Sequence, residues 1–141
     1  MDYICDYIKN YIENKNKNSK NESFKIIEIG IGYYYNVAKS LNIHENINLI
    51  VIDANKDAVN NAKKEGLNAF VDDLFNPKLN IYENVDLIYS IRPPRDLQPF
   101  ILNICKKYDI PLIIKPLYGE TPINYLKLIN YKGNALYGWN I

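Results

Sequence analysis

Residues 24–32 read FKIIEIGIG and residues 49–53 read LIVID. In the first, the apolar run Ile26-Ile27-Glu28-Ile29 ends in Gly30-Ile31-Gly32; in the second, Leu49-Ile50-Val51-Ile52 ends in Asp53. The order is strand, glycine turn, short helix, strand, acid. It sets a tight backbone turn and a ribose-reading carboxylate at one edge of a parallel sheet, the pattern of a chain that holds an adenosine-type cofactor.

Working outward, Ile4, Ile8 and Ile12 recur every fourth residue beside Tyr7 and Tyr11. They predict an amphipathic helix over 1–16 that covers one side of the sheet. Residues 14–23, NKNKNSKNES, are nearly free of apolar side chains, so the helix is expected to give way to a polar loop over 17–23. The first strand is 24–29. A short helix over 34–41 turns Val37, Ala38 and Leu41 inward, and the second strand is 48–52. Asn55 suits the cap of the next helix and Gly66 its left-handed stop, with Ala58, Val59 and Ala62 as the inner stripe.

A third strand over 69–71 ends at Asp72-Asp73, and a fourth over 85–89 ends at Ser90. Asp96 is expected to cap a helix carrying Leu97, Phe100, Ile101, Ile104, Cys105 and Tyr108, with Pro99 harmless in its first turn. A fifth strand over 111–114 precedes a β-hairpin, 125–131 and 135–139, around Lys132-Gly133-Asn134. The alternation predicts one domain over 1–141. Its class is α/β, doubly wound, with a mostly parallel sheet of six to seven strands and a C-terminal β-hairpin. In such sheets ligands sit beyond the carboxyl ends of the strands, where Gly30, Asp53, Asp73 and the run Ser90-Ile91-Arg92 are expected.

Composition narrows the classes of function. At 141 residues, 48% hydrophobic and 23% charged, the chain is globular. A net charge of +1 shows no basic excess, so there is no direct nucleic-acid signature. The two cysteines, Cys5 and Cys105, lie far apart, and with His44 as the single histidine no zinc cluster or metal site assembles from the usual ligands. No apolar run reaches the roughly 18 residues of a membrane span. The first residues, Met1-Asp2-Tyr3-Ile4-Cys5-Asp6, carry acids where a signal peptide is basic. A cytoplasmic protein with a small-molecule ligand is expected, with a partner protein or homo-oligomer left open.

Glu28-Ile29-Gly30-Ile31-Gly32 resembles the first motif of class I S-adenosylmethionine-dependent methyltransferases, E/D-x-G-x-G-x-G. On that resemblance the glycine turn accommodates the methionine moiety and ribose, and Glu28 holds a water or the methionine amino group. Tyr34 stands where the third glycine would be, and a bulky side chain there is expected to obstruct helix packing or the cofactor. Residues 51–67 look like the second motif and its helix, in which Asp53 accepts both ribose hydroxyls; a helix-capping or loop acid is the plainer role. Asp72-Asp73-Leu74 resembles the third motif, with Asp73 meeting the adenine amino group, a following backbone N–H, at Leu74, meeting the ring, and Asp72 simply solvated.

At the end of the fourth strand many amino-group methyltransferases have Asn-Pro-Pro-aromatic; here residues 90–95 are SIRPPR. Two prolines favour extended geometry at the residue before each and would fix Arg92 as a guanidinium projecting into the crevice. Arginine accepts no hydrogen bond, so it cannot position a target amine as asparagine does; it suits a carboxylate or phosphate. The alternative is an internal ion pair with Glu28 or Asp53. Lys115, after the fifth strand, would share the anion with Arg92 or lie along the surface. Residues 33–35, three tyrosines, read as packing or as an adenine stack, and His44 as a loop residue.

End to end the chain resembles an uncharacterised archaeal family of short Rossmann-like proteins. The resemblance rests on EIGIG, Asp53, DDLFNP at 72–77, YSIRPP at 89–94 with a following DLQ, KPLYGE at 115–120 and LINYKGNALYGW at 128–139. It implies a methyltransferase-like fold without an assigned reaction. The expected function is S-adenosylmethionine binding at Glu28, Gly30, Gly32, Asp53, Asp73, Leu74 and Ser90. A minimal methyltransferase would act on a small or anionic acceptor at Arg92 and Lys115. The alternatives are a non-catalytic Rossmann-like binding module and an NAD- or nucleotide-binding protein.

Overall fold

A computed structural model describes residues 2–19 and 23–141. The chain forms α1 (Tyr3–Ser19), β1 (Phe24–Ile29), α2 (Asn36–Asn42), β2 (Ile47–Asp53), α3 (Lys56–Lys64), β3 (Ala69–Val71), β4 (Leu87–Ile91), α4 (Gln98–Tyr108), β5 (Leu112–Lys115), β6 (Lys127–Tyr131) and β7 (Asn134–Trp139). The seven strands make one sheet in the order β3-β2-β1-β4-β5-β7-β6. The first five are parallel, while β7 runs antiparallel to β5 and to β6. This is the doubly wound sheet with its terminal hairpin.

β1 is central because its residues tolerate burial on both faces. Phe24 and Ile26 join a core with Ile4, Ile8 and Ile12 of α1, Val37, Ala38 and Leu41 of α2, and Val59 and Ala62 of α3. Ile27 and Ile29 join the opposite core with Ile101, Leu102, Ile104 and Cys105 of α4 and with Leu74, Tyr82 and Val85 from the segment before β4. Each buried Ile or Leu contributes about 1.5–3 kcal/mol. The chain leaves β1 toward β2 over one face and leaves β4 toward β5 over the other, so the winding reverses between β1 and β4. Their carboxyl ends flank the crevice that such a reversal opens.

Several local readings hold. Asn55 caps α3, its side chain accepting from the N–H groups of Asp57 (2.8 Å) and Ala58 (3.1 Å). Gly66, at φ 86°, ends that helix in the left-handed region. Two readings are corrected. α1 runs on to Ser19, past the expected end at 16, because polarity does not stop a helix and no Gly or Pro interrupts 3–19; residues 20–22 of the expected loop lie outside the described residues. Asp96 caps nothing. The N–H groups of Leu97 and Gln98 bond the carbonyls of Pro94 and Arg95, so Asp96 lies inside a turn and Leu97 takes the cap position without a side-chain bond.

The hairpin docks onto α1. Tyr131 donates to Asp6 at 2.6 Å, and its ring meets that of Tyr7 edge-on at 5.2 Å. These contacts place the N-terminal residues beside the carboxyl end of β5 and the amino end of β7.

Candidate functional site

The carboxyl ends of β1, β2 and β3 enclose a crevice of about 280 Å³, close to the lower limit of small-molecule pockets. Its walls are mostly apolar, with Ile29, Ile52, Leu74, Phe75, Pro94 and Leu97 among them; Gly30, Asp53, Asp72 and Asp73 also line it.

Asp53 builds the turn. One carboxylate oxygen accepts the Gly32 N–H at 2.9 Å and the other accepts the Asn55 N–H at 2.9 Å. The N–H groups of Gly30 and Ile31 both donate to the Ile52 carbonyl, at 2.8 and 3.1 Å. The glycine turn is thereby drawn over the end of β2. Gly30 (φ 75°) and Gly32 (φ 52°) are left-handed, and a Cβ on Gly30 would meet no atom within 4 Å. The turn thus needs glycine for its backbone, and the space above it is open. Each Asp53 oxygen keeps a lone pair for a further donor, so the loop-acid role and a ligand role coexist in one side chain.

Asp72 and Asp73 divide the work differently from the sequence expectation. Asp72 is buried rather than solvated, and accepts from the N–H groups of Asp73 and Lys78, both at 3.0 Å, and from the Tyr82 hydroxyl at 2.6 Å. This carboxylate folds the segment that carries Leu74 and Phe75 into the crevice wall. Burial and the Asp72 carboxylate push the Tyr82 hydroxyl's pKa well up. Asp73 is exposed at the crevice; its side chain accepts the Phe75 N–H at 3.0 Å.

Glu28 and Ser90 stand outside the crevice walls. Glu28 is buried on the α1 side of β1 and accepts a 2.5 Å bond from the Tyr89 hydroxyl. Burial pushes its carboxyl up to about 8, although the Tyr89 bond pulls the other way. Ser90 is interior to β4 rather than at its end, and its hydroxyl donates to the Ile29 carbonyl at 2.8 Å, tying β4 to β1.

Arg92 follows β4. Its backbone is left-handed (φ 51°) rather than extended, because its N–H closes on the Lys115 carbonyl at 2.6 Å just as the chain turns into buried Pro93. Such a conformation costs a non-glycine residue about 1–3 kcal/mol. The guanidinium lies 5.0 Å from the centre of the Tyr34 ring and is exposed. Among the described residues it makes no ion pair, with Glu28, Asp53 or any other acid. Tyr34 turns away from the crevice, its hydroxyl donating to Asp2 at 3.1 Å, so the side chain at the third-glycine position leaves the crevice clear. The Asn61 amide donates to the Tyr35 hydroxyl at 2.5 Å, and Tyr33 is exposed.

Lys115 does not lie along the surface. Its ammonium meets both oxygens of Asp2, at 3.0 and 2.9 Å, and lies over the Tyr3 ring. Arg92 and Lys115 share a second cavity of about 520 Å³ over β5 and β7. Sequence reasoning overlooked Asp2, Phe75, Pro94 and Leu97. Phe75 carries a usable signal, an aromatic in a loop that begins with two acids; Asp2 carries none, being 113 residues from Lys115. Among the described residues no group of His, Cys, Asp and Glu is placed to hold a metal, and no helix is long and apolar enough to cross a membrane.

The sheet order and the crevice at its reversal define a class I methyltransferase-like fold. The TehB-like SAM-dependent methyltransferase from Corynebacterium glutamicum superposes with a TM-score of 0.60 at 16% identity, over 83% of this chain and 79% of that one. The RNA methyltransferase from Salinibacter ruber, solved in complex with S-adenosyl-L-homocysteine, gives 0.52 at 17% identity, over 93% and 90%. Within that fold the chain belongs to the uncharacterised protein family UPF0146, whose model matches residues 8–140. The UPF0146 protein MJ0688 of Methanocaldococcus jannaschii is 52% identical over 134 residues, 95% of this chain and 92% of that protein. A UPF0146 protein of Archaeoglobus fulgidus is 36% identical over 95% of this chain and 90% of its own length. The relatives are archaeal.

Proposed function

We propose that this protein binds S-adenosylmethionine in the crevice over β1, β2 and β3 and passes its methyl group to a small or anionic acceptor held near Arg92. The observation that carries the reading is the open space above Gly30, bounded by the Asp53 carboxylate, apolar walls and Asp73. That combination of acceptors and apolar walls fits an adenosine. Apolar walls take the flat base, Asp53 has lone pairs for ribose hydroxyls, and exposed Asp73 can accept from an exocyclic amine. The neighbouring glycine turn leaves room for the methionine portion.

Bound cofactor would supply a methyl group on a sulfonium, which an aligned nucleophile can accept. The chain's own contribution is placement. Gly30 and Gly32 hold the turn back, Leu74, Phe75 and Leu97 exclude water, and Arg92 holds an acceptor's negative group. Alignment alone removes much of the barrier for such a transfer, so no dedicated acid–base cluster is required.

Native mass spectrometry of freshly purified protein tests the ligand class directly, alongside thermal-shift titrations of S-adenosylmethionine and NAD. A preferential response to S-adenosylmethionine supports the reading. A response to NAD alone would replace it with a dinucleotide site.

A further inference from the structure

Resting on the reading that Arg92 meets an acceptor's anion, the corner around Arg92 also names the kind of anion. Two cations line the cavity over β5 and β7, together with Tyr3, Asn134, Tyr137 and the exposed acid Glu120. One of the cations is satisfied. Lys115 bonds both oxygens of Asp2, and the Tyr34 hydroxyl donates to one of them. The Asp2 and Lys115 side chains are 9% and 17% exposed, so this is a built anion pocket that holds a carboxylate. The other cation, Arg92, is held by its left-handed backbone against the same Tyr34 ring and lacks a counter-ion among the described residues. With the exposed Glu120 the corner carries two positive and two negative groups, yet no acid among the described residues pairs with Arg92, whose donors are still to fill.

We propose that this corner is a binding site for a dianionic phosphate group, and that Asp2 is a resident carboxylate which the phosphate displaces from Lys115. A phosphate monoester brings close to two negative charges and three strong acceptor oxygens. The guanidinium takes two oxygens side by side, and the ammonium acts as a point charge. The Tyr34 hydroxyl, now given to Asp2, donates to a third. Asp2 is well placed to give way. It precedes α1, its carboxylate accepts the Ile4 N–H at 3.2 Å and its backbone carbonyl accepts from Cys5 and Asp6, so releasing the carboxylate from Lys115 turns one side chain and leaves the sheet in place. Being tethered, it competes at high effective concentration, and the apparent affinity for phosphate falls by the fraction of molecules in which it has let go.

Calorimetric titration of the full chain with inorganic phosphate and, separately, acetate tests this in the wild type, Asp2→Asn and Arg92→Ala. Asparagine preserves the helix cap and removes the charge. Phosphate is expected to bind Asp2→Asn about tenfold or more tighter than the wild type, and Arg92→Ala about tenfold or more weaker. Acetate should bind more weakly than phosphate throughout. Equal phosphate affinity in Asp2→Asn and wild type overturns displacement. Acetate matching phosphate overturns the dianion, and an unaffected Arg92→Ala, or no phosphate binding even to folded Asp2→Asn, overturns the site. S-adenosylhomocysteine titrated into the same samples keeps the two readings apart. Its binding with phosphate silent removes this corner alone, whereas phosphate binding with S-adenosylhomocysteine silent removes the cofactor alone.

Discussion

Replacing Glu28 with glutamine should remove a pH dependence that the wild type carries at near-neutral pH. Burial raises the Glu28 carboxyl from 4.5 to about 8, against the opposing effect of the Tyr89 hydroxyl. Below pH 4.5 the group is protonated in both folded and unfolded chains and contributes no slope. Between about 4.5 and 8 the unfolded chain releases a proton that the folded chain keeps, so stability falls as pH rises and levels off above 8. One proton corresponds to roughly 1.4 kcal/mol per pH unit, or about 3 kcal/mol between pH 5 and 7.5. That is a large share of the 5–15 kcal/mol typical of a domain. Asp2 and Asp6 act in the opposite sense and elsewhere. Lys115 holds the Asp2 carboxyl below its usual value against the cost of burial, and Tyr131 and Lys132 hold Asp6 low; their stabilisation is lost only as pH falls through the acid range. The assay is urea unfolding at half-unit steps from pH 5 to 8.5. The slope is the readout, because glutamine brings its own amide into a buried place and shifts the absolute stability. Glu28→Gln should be flatter than wild type by about one proton across the window. Parallel curves, or a wild type that gains stability from pH 5 to 8, would refute the assignment of a protonated Glu28.

Other substitutions follow the same contacts. Asp72→Asn weakens three bonds to a buried carboxylate and should cost about 2–3 kcal/mol in urea unfolding, more than Tyr82→Phe, which removes one of them. Gly30→Ala meets no steric obstacle but must sit at φ 75°; about 1–2 kcal/mol of stability should be lost, and S-adenosylhomocysteine affinity with it, because the new methyl enters the crevice. Asn55→Ala should cost about 1 kcal/mol through the lost cap, read as a lower urea midpoint at unchanged m-value. Arg92→Ala should leave the melting temperature near the wild-type value, since the side chain makes no ion pair among the described residues, while weakening anion binding.

Local signals were legible where one residue type has one strong reason to be there. β1 and β3 begin and end where the apolar runs do, Asn55 caps as asparagine does, and Gly66 stops its helix. The glycine turn and Asp53 come together as their spacing implies. Polar composition was a poor guide to the end of α1, since lysine, glutamate and asparagine continue a helix at small cost. The sequence prefers Asp73 to Asp72 but does not show that Asp72 is buried, because that depends on the Tyr82 hydroxyl ten residues on and on the Lys78 N–H. The pairing of Lys115 with Asp2 depends on how α1 crosses the sheet edge, information spread over the whole chain. For Arg92 the sequence leaves an anion-binding guanidinium and an internal ion pair both open, and its left-handed backbone, which arises from the β4–β5 pairing, contradicts the local preference of a residue before proline.

The most direct test of the crevice as a cofactor site is calorimetric titration of S-adenosylhomocysteine into the wild-type chain and into Asp53→Ala. The proposed function predicts saturable one-to-one binding by the wild type and an affinity weaker by about tenfold or more, at least 1.4 kcal/mol, once the Asp53 carboxylate in the crevice wall is gone. Folded wild-type protein that gives no heat at millimolar ligand, or that binds no better than Asp53→Ala, would contradict it.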